Sequence, residues 1–341
     1  MRIRILCTLG PASLREEVIR ALDTRGIDLF RINLSHTPMD ALEDAIAVIQ
    51  GCSSTPICID TEGPQVRCGV VPDEILLEEG RRVLLVVEDR PGSAEVLTLW
   101  PRTAIPALRV GSTVGIDFDG ALLRVVEAGD GEATAVVVES GRVRSNKAVT
   151  VDPPPALPPL SEKDLAAMEV GRLRGVTHYA LSFAASADGV RTIRSLAPAG
   201  AHVMAKIESR VGVRNMDGII EASDSVIIDR GDLSREVPLE FVPFYQKAIV
   251  RRANRWSRPV YVATNLLESM VTDRIPTVAE ANDIANTLLD GVHGLVLAAE
   301  TAIGRDPVGS VDMILRSVEA FEHASDSQLL AEDRVGPGPT I

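Results

Sequence analysis

Two short strings carry the most chemistry in this chain. Lys206-Ile207-Glu208 sets an ammonium and a carboxylate two residues apart at the end of an apolar run, and Asp229-Arg230-Gly231-Asp232 closes the next such run. Residues two apart on a strand face the same side, so Lys206 and Glu208 enter one space together. Glu208 and Asp232, from neighbouring strand ends, can share one hard cation. Mg2+ usually takes one or two carboxylates and completes its octahedron with water and substrate oxygens, and Mn2+ suits the same oxygen donors. Lys206 beside that cation could stabilise charge on a phosphoryl group or an enolate oxygen, and Arg31 could clamp a phosphate.

Other strand ends are equally polar. RINLSH offers Arg31, Asn33, Ser35 and His36; DTEGPQVR offers Asp60, Thr61 and Arg67; ATN offers Thr264 and Asn265; AAET offers Glu300 and Thr301. In a barrel of parallel strands, residues just after each strand project into a common mouth. The competing explanation is a set of structural ion pairs around the rim, which accounts for any one residue better than for the whole set. His178, His202 and His293 lie in or beside apolar runs and read as core or rim histidines rather than ligands.

The elements that must position these residues alternate. Short apolar runs occur at Arg4–Leu9, Leu29–Leu34, Pro56–Asp60, His178–Phe183, His202–Ile207, Ser225–Asp229, Pro259–Ala263 and Gly294–Ala298. Amphipathic segments separate them, among them Ser13–Thr24, Asp40–Ile49, Glu162–Arg174, Pro238–Arg255 and Val278–Leu289. Eight strand–helix units predict an α/β fold, a (β/α)8 TIM barrel. The third and fourth strands are separated by roughly 80 residues of short strands and Gly, Asp and Pro turns. The expectation is a TIM barrel over 1–68 and 156–325, a small all-β lid domain over 69–155, and a flexible tail over 326–341. The run VDPPPALPPL would be a stiff return linker.

Composition narrows the partners. Aromatics are 3% of the chain, so the core must be built from Ala, Val, Ile and Leu, which suits buried parallel strands. The net charge of −13, without a block of Lys and Arg, argues against nucleic acid. Four cysteines without CxxC spacing fit reduced thiols of a cytoplasmic protein. The N-terminus reads as a first strand rather than a signal peptide, and no apolar run approaches the roughly 20 residues that span a membrane.

The strings CTLGPAS, RINLSH, IDTEGPQVR, LSEKD, KIES, RGDL, ATNLLESM and AAETAIG, in that order, resemble the signature segments of pyruvate kinases over about residues 2–322. The resemblance implies phosphoryl transfer between phosphoenolpyruvate and ADP through an enolate of pyruvate, with Mg2+ (or Mn2+) on Glu208 and Asp232. It implies phosphoryl-transfer stabilisation by Lys206, contact of Arg31 with the transferred phosphate, and Thr264 beside the enolate carbon, positioning a proton-donating water. Arg230, Gly231, Asp232 and Thr264 match the substrate segment, with backbone N–H groups there receiving the substrate carboxylate. Asn33, Ser35, Asp60 and Thr61 match monovalent-cation ligands. Pro11, His36, Arg67 and Lys147 match positions associated with the nucleotide, ADP or ATP.

The departures from the family pattern matter too. No counterpart of the family's C-terminal regulatory domain is present, which predicts a homodimer without sugar-phosphate regulation. Gln65 stands where the family carries the Glu or Lys linked to K+, so K+ dependence stays open. The family's ARGDLG appears as Asp229-Arg230-Gly231-Asp232-Leu233-Ser234. Asp229 could repel a substrate carboxylate, pair with Arg230 and point away, or accept from an amine or hydroxyl of a different substrate. Three readings follow: a compact pyruvate kinase; a repurposed relative acting on another 2-oxo acid or enol phosphate as a kinase, lyase or aldolase; or a non-catalytic metabolite-binding barrel.

Overall fold

The computed structural model describes residues 2–117 and 120–326. Eight parallel strands close into a barrel: β1 (Arg4–Thr8), β2 (Leu29–Asn33), β3 (Ile57–Asp60), β4 (His178–Leu181), β5 (His202–Ile207), β6 (Ser225–Asp229), β7 (Val260–Ala263) and β8 (Gly294–Leu297). Neighbours in space are neighbours in sequence, and β1 pairs with β8, with Arg4 opposite Gly294. The chain is therefore a (β/α)8 TIM barrel. Between the strands run helices such as Glu16–Asp23, Met39–Cys52, Glu162–Leu173, Ala187–Leu196, Val242–Arg255 and Val278–Leu289.

The helices form where apolar periodicity and end chemistry agree. In Glu16–Asp23, Val18, Ile19 and Leu22 are buried, while Glu16 and Glu17 occupy the first turn, where carboxylates favour the helix dipole. Val278–Leu289 opens with a reciprocal cap: the Thr277 hydroxyl accepts from the Glu280 N–H while the Glu280 carboxylate accepts from the Thr277 N–H. Among the described residues no helix is long and apolar enough to cross a membrane.

The chain divides into two compact units. Of the described residues, 2–61 and 162–326 make one, and those within Glu62–Ser161 the other. The second is a closed barrel of seven strands, running in space Glu132–Glu139, Arg82–Val86, Val96–Trp100, Val66–Cys68, Ala148–Asp152, Thr113–Ile116 and Leu122–Ala128. Leu85, Leu97, Leu99, Ile116, Leu123, Val125 and Val137 fill its core. Val66–Cys68, inside the span read as barrel from the sequence, belongs to this unit. Arg67 pairs with Ala148 on one side and Trp100 on the other. The tail expected over 326–341 lies, from 327 onward, outside the described residues.

Candidate active site

Alternation along the barrel strands stacks inward-facing side chains in tiers. A middle tier is apolar and buried: Leu6, Leu29, Cys58, Ala180, Met204 and Ile227. Two residues before these stand Arg4, His178, His202 and Ser225, where the two imidazoles stack at 5.1 Å and His202 Nε2 lies 2.8 Å from Ser225 Oγ. Two residues after them come Thr8, Arg31, Asp60, Ser182, Lys206 and Asp229, polar and all buried. The same period that builds the apolar core therefore delivers six polar groups to the C-terminal end of the barrel.

These groups are tied together. Arg31 donates from Nε to Thr8 Oγ1 and from Nη1 to Asp60 Oδ2, both at 2.8 Å. Lys206 Nζ lies 3.4 Å from Asp60 Oδ2, 3.2 Å from Ser182 Oγ, 3.2 Å from Glu208 Oε2 and 3.6 Å from Asp229 Oδ2. Burial alone would pull the lysine's pKa down, but Asp60, Glu208 and Asp229 together outweigh it and hold the ammonium above its ordinary range. Glu208 is pushed well up, first by burial, with Asp232, Asp229 and Asp60 adding to it; the ammonium of Lys206 opposes but is divided among several carboxylates. Asp229 is the reverse case: burial raises it, but Lys206 and Arg31 win and keep it below the usual carboxylate range.

Glu208 Oε1 accepts from the Phe183 N–H at 2.6 Å. Its other oxygen, Oε2, is buried and accepts no hydrogen bond among the described residues, although Lys206 Nζ is 3.2 Å away. Asp232 is half-buried and lies 3.3 Å from Arg235 Nη1. Glu208, Asp229 and Asp232 each bring one oxygen within 4.8 Å of the others. An all-carboxylate set with an oxygen lacking a hydrogen-bond donor fits a hard divalent cation.

Thr264 closes the site at the end of β7. It sits at φ +66°, with Asn265 at φ +54°, in the left-handed region that a β-branched residue avoids. Arg230 holds this turn: Nε and Nη2 donate to the Thr264 carbonyl at 3.1 and 2.7 Å, and Nη1 donates to Asp283 at 2.9 Å. Pairing of Asp229 with Arg230, one of the sequence alternatives, does not occur; Arg230 is committed to Asp283. Asp229 instead turns inward, its Oδ1 accepting from the Gly231 N–H at 3.2 Å and lying 3.0 Å from Thr264 Oγ1, whose one proton is shared with the Ala263 carbonyl at 2.6 Å.

The remaining sequence candidates fall in three places. Asn33 Oδ1 accepts from the Ser35 N–H, Thr61 Oγ1 accepts from the Ser182 N–H, and Asp60 is already engaged by Arg31 and Lys206. Pro11 and His36 are exposed on the barrel unit. Arg67 and Lys147 belong to the other unit, where the Cys68 N–H donates to the Lys147 carbonyl at 2.8 Å and Lys147 Nζ pairs with Asp117 at 2.6 Å. Glu300 is not part of the cluster; its carboxylate ties down the Leu267 and Ala298 N–H groups. Sequence reasoning missed Thr8 and Ser182. Each is the polar residue ending or following a strand, so the rule that found the others would have found them.

A family model of the pyruvate kinase barrel domain matches residues 1–311. The chain belongs to the pyruvate kinase family. The pyruvate kinase of Methylorubrum extorquens is 38% identical across 99% of this chain and 73% of its own length. Those of Thermococcus litoralis and Mycobacterium tuberculosis are 33% and 35% identical, across 96% and 95% of this chain and 71% of their own lengths. The chain is thus a phosphotransferase of the pyruvate kinase type.

Proposed function

We propose that the chain transfers a phosphoryl group between phosphoenolpyruvate and ADP, through the enolate of pyruvate, with Mg2+ or Mn2+. The observation that carries this reading is the buried Lys206 ammonium, ringed by Asp60, Glu208 and Asp229 and held charged by them. A lysine so held is a fixed positive charge rather than a base. It is suited to an enolate oxygen or transferring phosphoryl group whose negative charge grows in the transition state. Arg31 is oriented by Thr8 and Asp60 through Nε and Nη1, which leaves Nη2 for a phosphoryl oxygen. The Thr264 hydroxyl, held by Gly231 and Asp229, would place the water that protonates the enolate carbon.

Glu208 and Asp232 would hold the divalent cation, which when bound supplies charge neutralisation on phosphoryl oxygens. Gly231 and Asp232 would meet the substrate through their backbone N–H groups, with Arg230 acting at one remove by clamping Thr264. In the same reading Pro11, His36, Arg67 and Lys147 serve the nucleotide, Asn33, Ser35, Asp60 and Thr61 a monovalent cation, and the working form is a cytoplasmic homodimer. The test is a coupled assay for pyruvate from phosphoenolpyruvate and ADP with Mg2+, with and without K+. Robust turnover supports the reading; folded, cation-binding protein without turnover removes it.

One observation favours a second reading, in which the substrate is another 2-oxo acid or enol phosphate. The Gly231 N–H, in the segment where the family receives a substrate carboxylate, is shared between the Thr264 hydroxyl oxygen at 2.8 Å and the carboxylate of Asp229 at 3.2 Å. If Asp229 competes with the substrate there, Asp229→Ala lowers the KM for phosphoenolpyruvate at saturating cation. An unchanged KM counts against that competition.

A further inference from the structure

We propose that Asp229 is a third protein ligand of the divalent cation, alongside Glu208 and Asp232; this rests on the reading that those two residues hold such a cation. The three carboxylates each present an oxygen within 4.8 Å of the other two. Glu208 Oε2, on a residue with no solvent exposure, accepts no hydrogen bond among the described residues, with the Lys206 ammonium 3.2 Å away. Asp229 divides its two oxygens. Oδ1 is pinned by Thr264 Oγ1 and the Gly231 N–H at 3.0 and 3.2 Å. Oδ2 faces Lys206 Nζ at 3.6 Å, too far for a hydrogen bond, and the carboxylate also accepts from the Asp232 N–H.

Charge balance points the same way. Asp60 is taken by Arg31 at 2.8 Å, so the single ammonium of Lys206 confronts both Glu208 and Asp229, all of them buried. Asp232 adds another carboxylate at the edge. Burying two carboxylates against one ammonium is unfavourable unless a proton or a further cation enters, and for a cation the oxygen-only donor set selects a hard one. Asp229 thereby completes one face of the coordination shell from the protein alone. About three positions of an octahedron remain for water and substrate oxygens. The cation binds before the substrate and depends less on substrate chelation to stay.

The experiment is a titration of the full chain with Mn2+, without substrate or nucleotide, followed by calorimetry and by the electron paramagnetic resonance signal of free Mn2+. Asp229→Asn keeps the side-chain volume and an acceptor for Gly231 while removing the charge; it is expected to weaken Mn2+ binding about ten-fold or more. Glu208→Gln is the reference for losing a ligand. Equal affinity in the parent and Asp229→Asn overturns the proposal and leaves Asp229 as a counter-ion of Lys206. If Asp229→Asn fails to fold, the unmodified chain still decides. Pulsed resonance in deuterated water counts the waters on bound Mn2+: roughly three support three protein ligands, roughly four overturn them. Because no catalytic turnover enters these readouts, a chain that fails the pyruvate assay yet loses Mn2+ on Asp229→Asn keeps this inference and loses only the proposed reaction.

Discussion

Asp60 Oδ2 accepts a hydrogen bond from Arg31 Nη1 at 2.8 Å, with both side chains sealed from solvent. The same oxygen lies 3.4 Å from Lys206 Nζ, so one carboxylate anchors the two cations of the site. Removing one partner of a buried ion pair leaves the other uncompensated, at a cost of about 3–5 kcal/mol. Asp60→Asn is therefore expected to lower stability to urea by about 3 kcal/mol and to depress turnover through a misplaced Arg31. A loss below about 1 kcal/mol would mean that water reaches the pair.

Lys206→Met separates charge stabilisation from cation binding. The thioether fills the lysine's volume, and Glu208, whose pKa burial already raises, can take a proton to relieve the missing ammonium. The fold should persist by circular dichroism. Turnover should fall about 10²–10³-fold or more, while Mn2+ still binds by displacing that proton, since Glu208, Asp229 and Asp232 remain. Retained turnover would remove Lys206 from the mechanism.

Most of the barrel was legible because burial on both faces writes each strand as an apolar run. The helix at Val278–Leu289 and the strands at His202–Ile207 and Ser225–Asp229 fall where the pattern puts them. The fourth run, read to Phe183, stops as a strand at Leu181; Phe183 turns to φ +50° and aims its N–H at Glu208. The convergence of Lys206, Glu208, Asp60, Arg31 and Asp229 followed from strand ends alone. What did not follow were partners fixed by tertiary distance. Arg230 finds Asp283 across 53 residues, and Val66–Cys68 joins the second unit because its pairing partners lie far along the chain. A dipeptide such as Asp229-Arg230 suggests an ion pair by adjacency, but the side chains leave the end of β6 in different directions.

Closure of the barrel depends on a residue without a side chain. A Cβ on Gly294 would stand 2.2 Å from the Arg4 carbonyl oxygen and 2.9 Å from Tyr261 Cδ1. The first contact is with backbone engaged in the β1–β8 pairing, so it cannot move aside alone. Overpacking of this kind costs about 1–3 kcal/mol. Gly294→Ala should lower the thermal midpoint clearly, and a variant as stable as the parent would show that the two strands can part at that point without penalty.

The imidazole pair beneath the apolar tier sets a pH dependence of stability. His178 is drawn from its ordinary 6.5 down to about 4, first by burial and then by the neighbouring His202 and Arg4. His202 is lowered in the same direction, chiefly by burial. A base whose folded pKa is depressed leaves the unfolded chain binding more protons in the interval between the two values, so stability rises with pH there. The contribution is fully present above the unfolded value of 6.5, is lost as pH falls toward about 4, and changes no further below that. Urea midpoints measured from pH 7.5 to 4.5 should therefore fall as pH falls. In His178→Gln the slope over that range should be shallower than in the parent, whereas parallel slopes would show that His178 titrates alike in the folded and unfolded chain, as it would if the pair opened to solvent before it titrates.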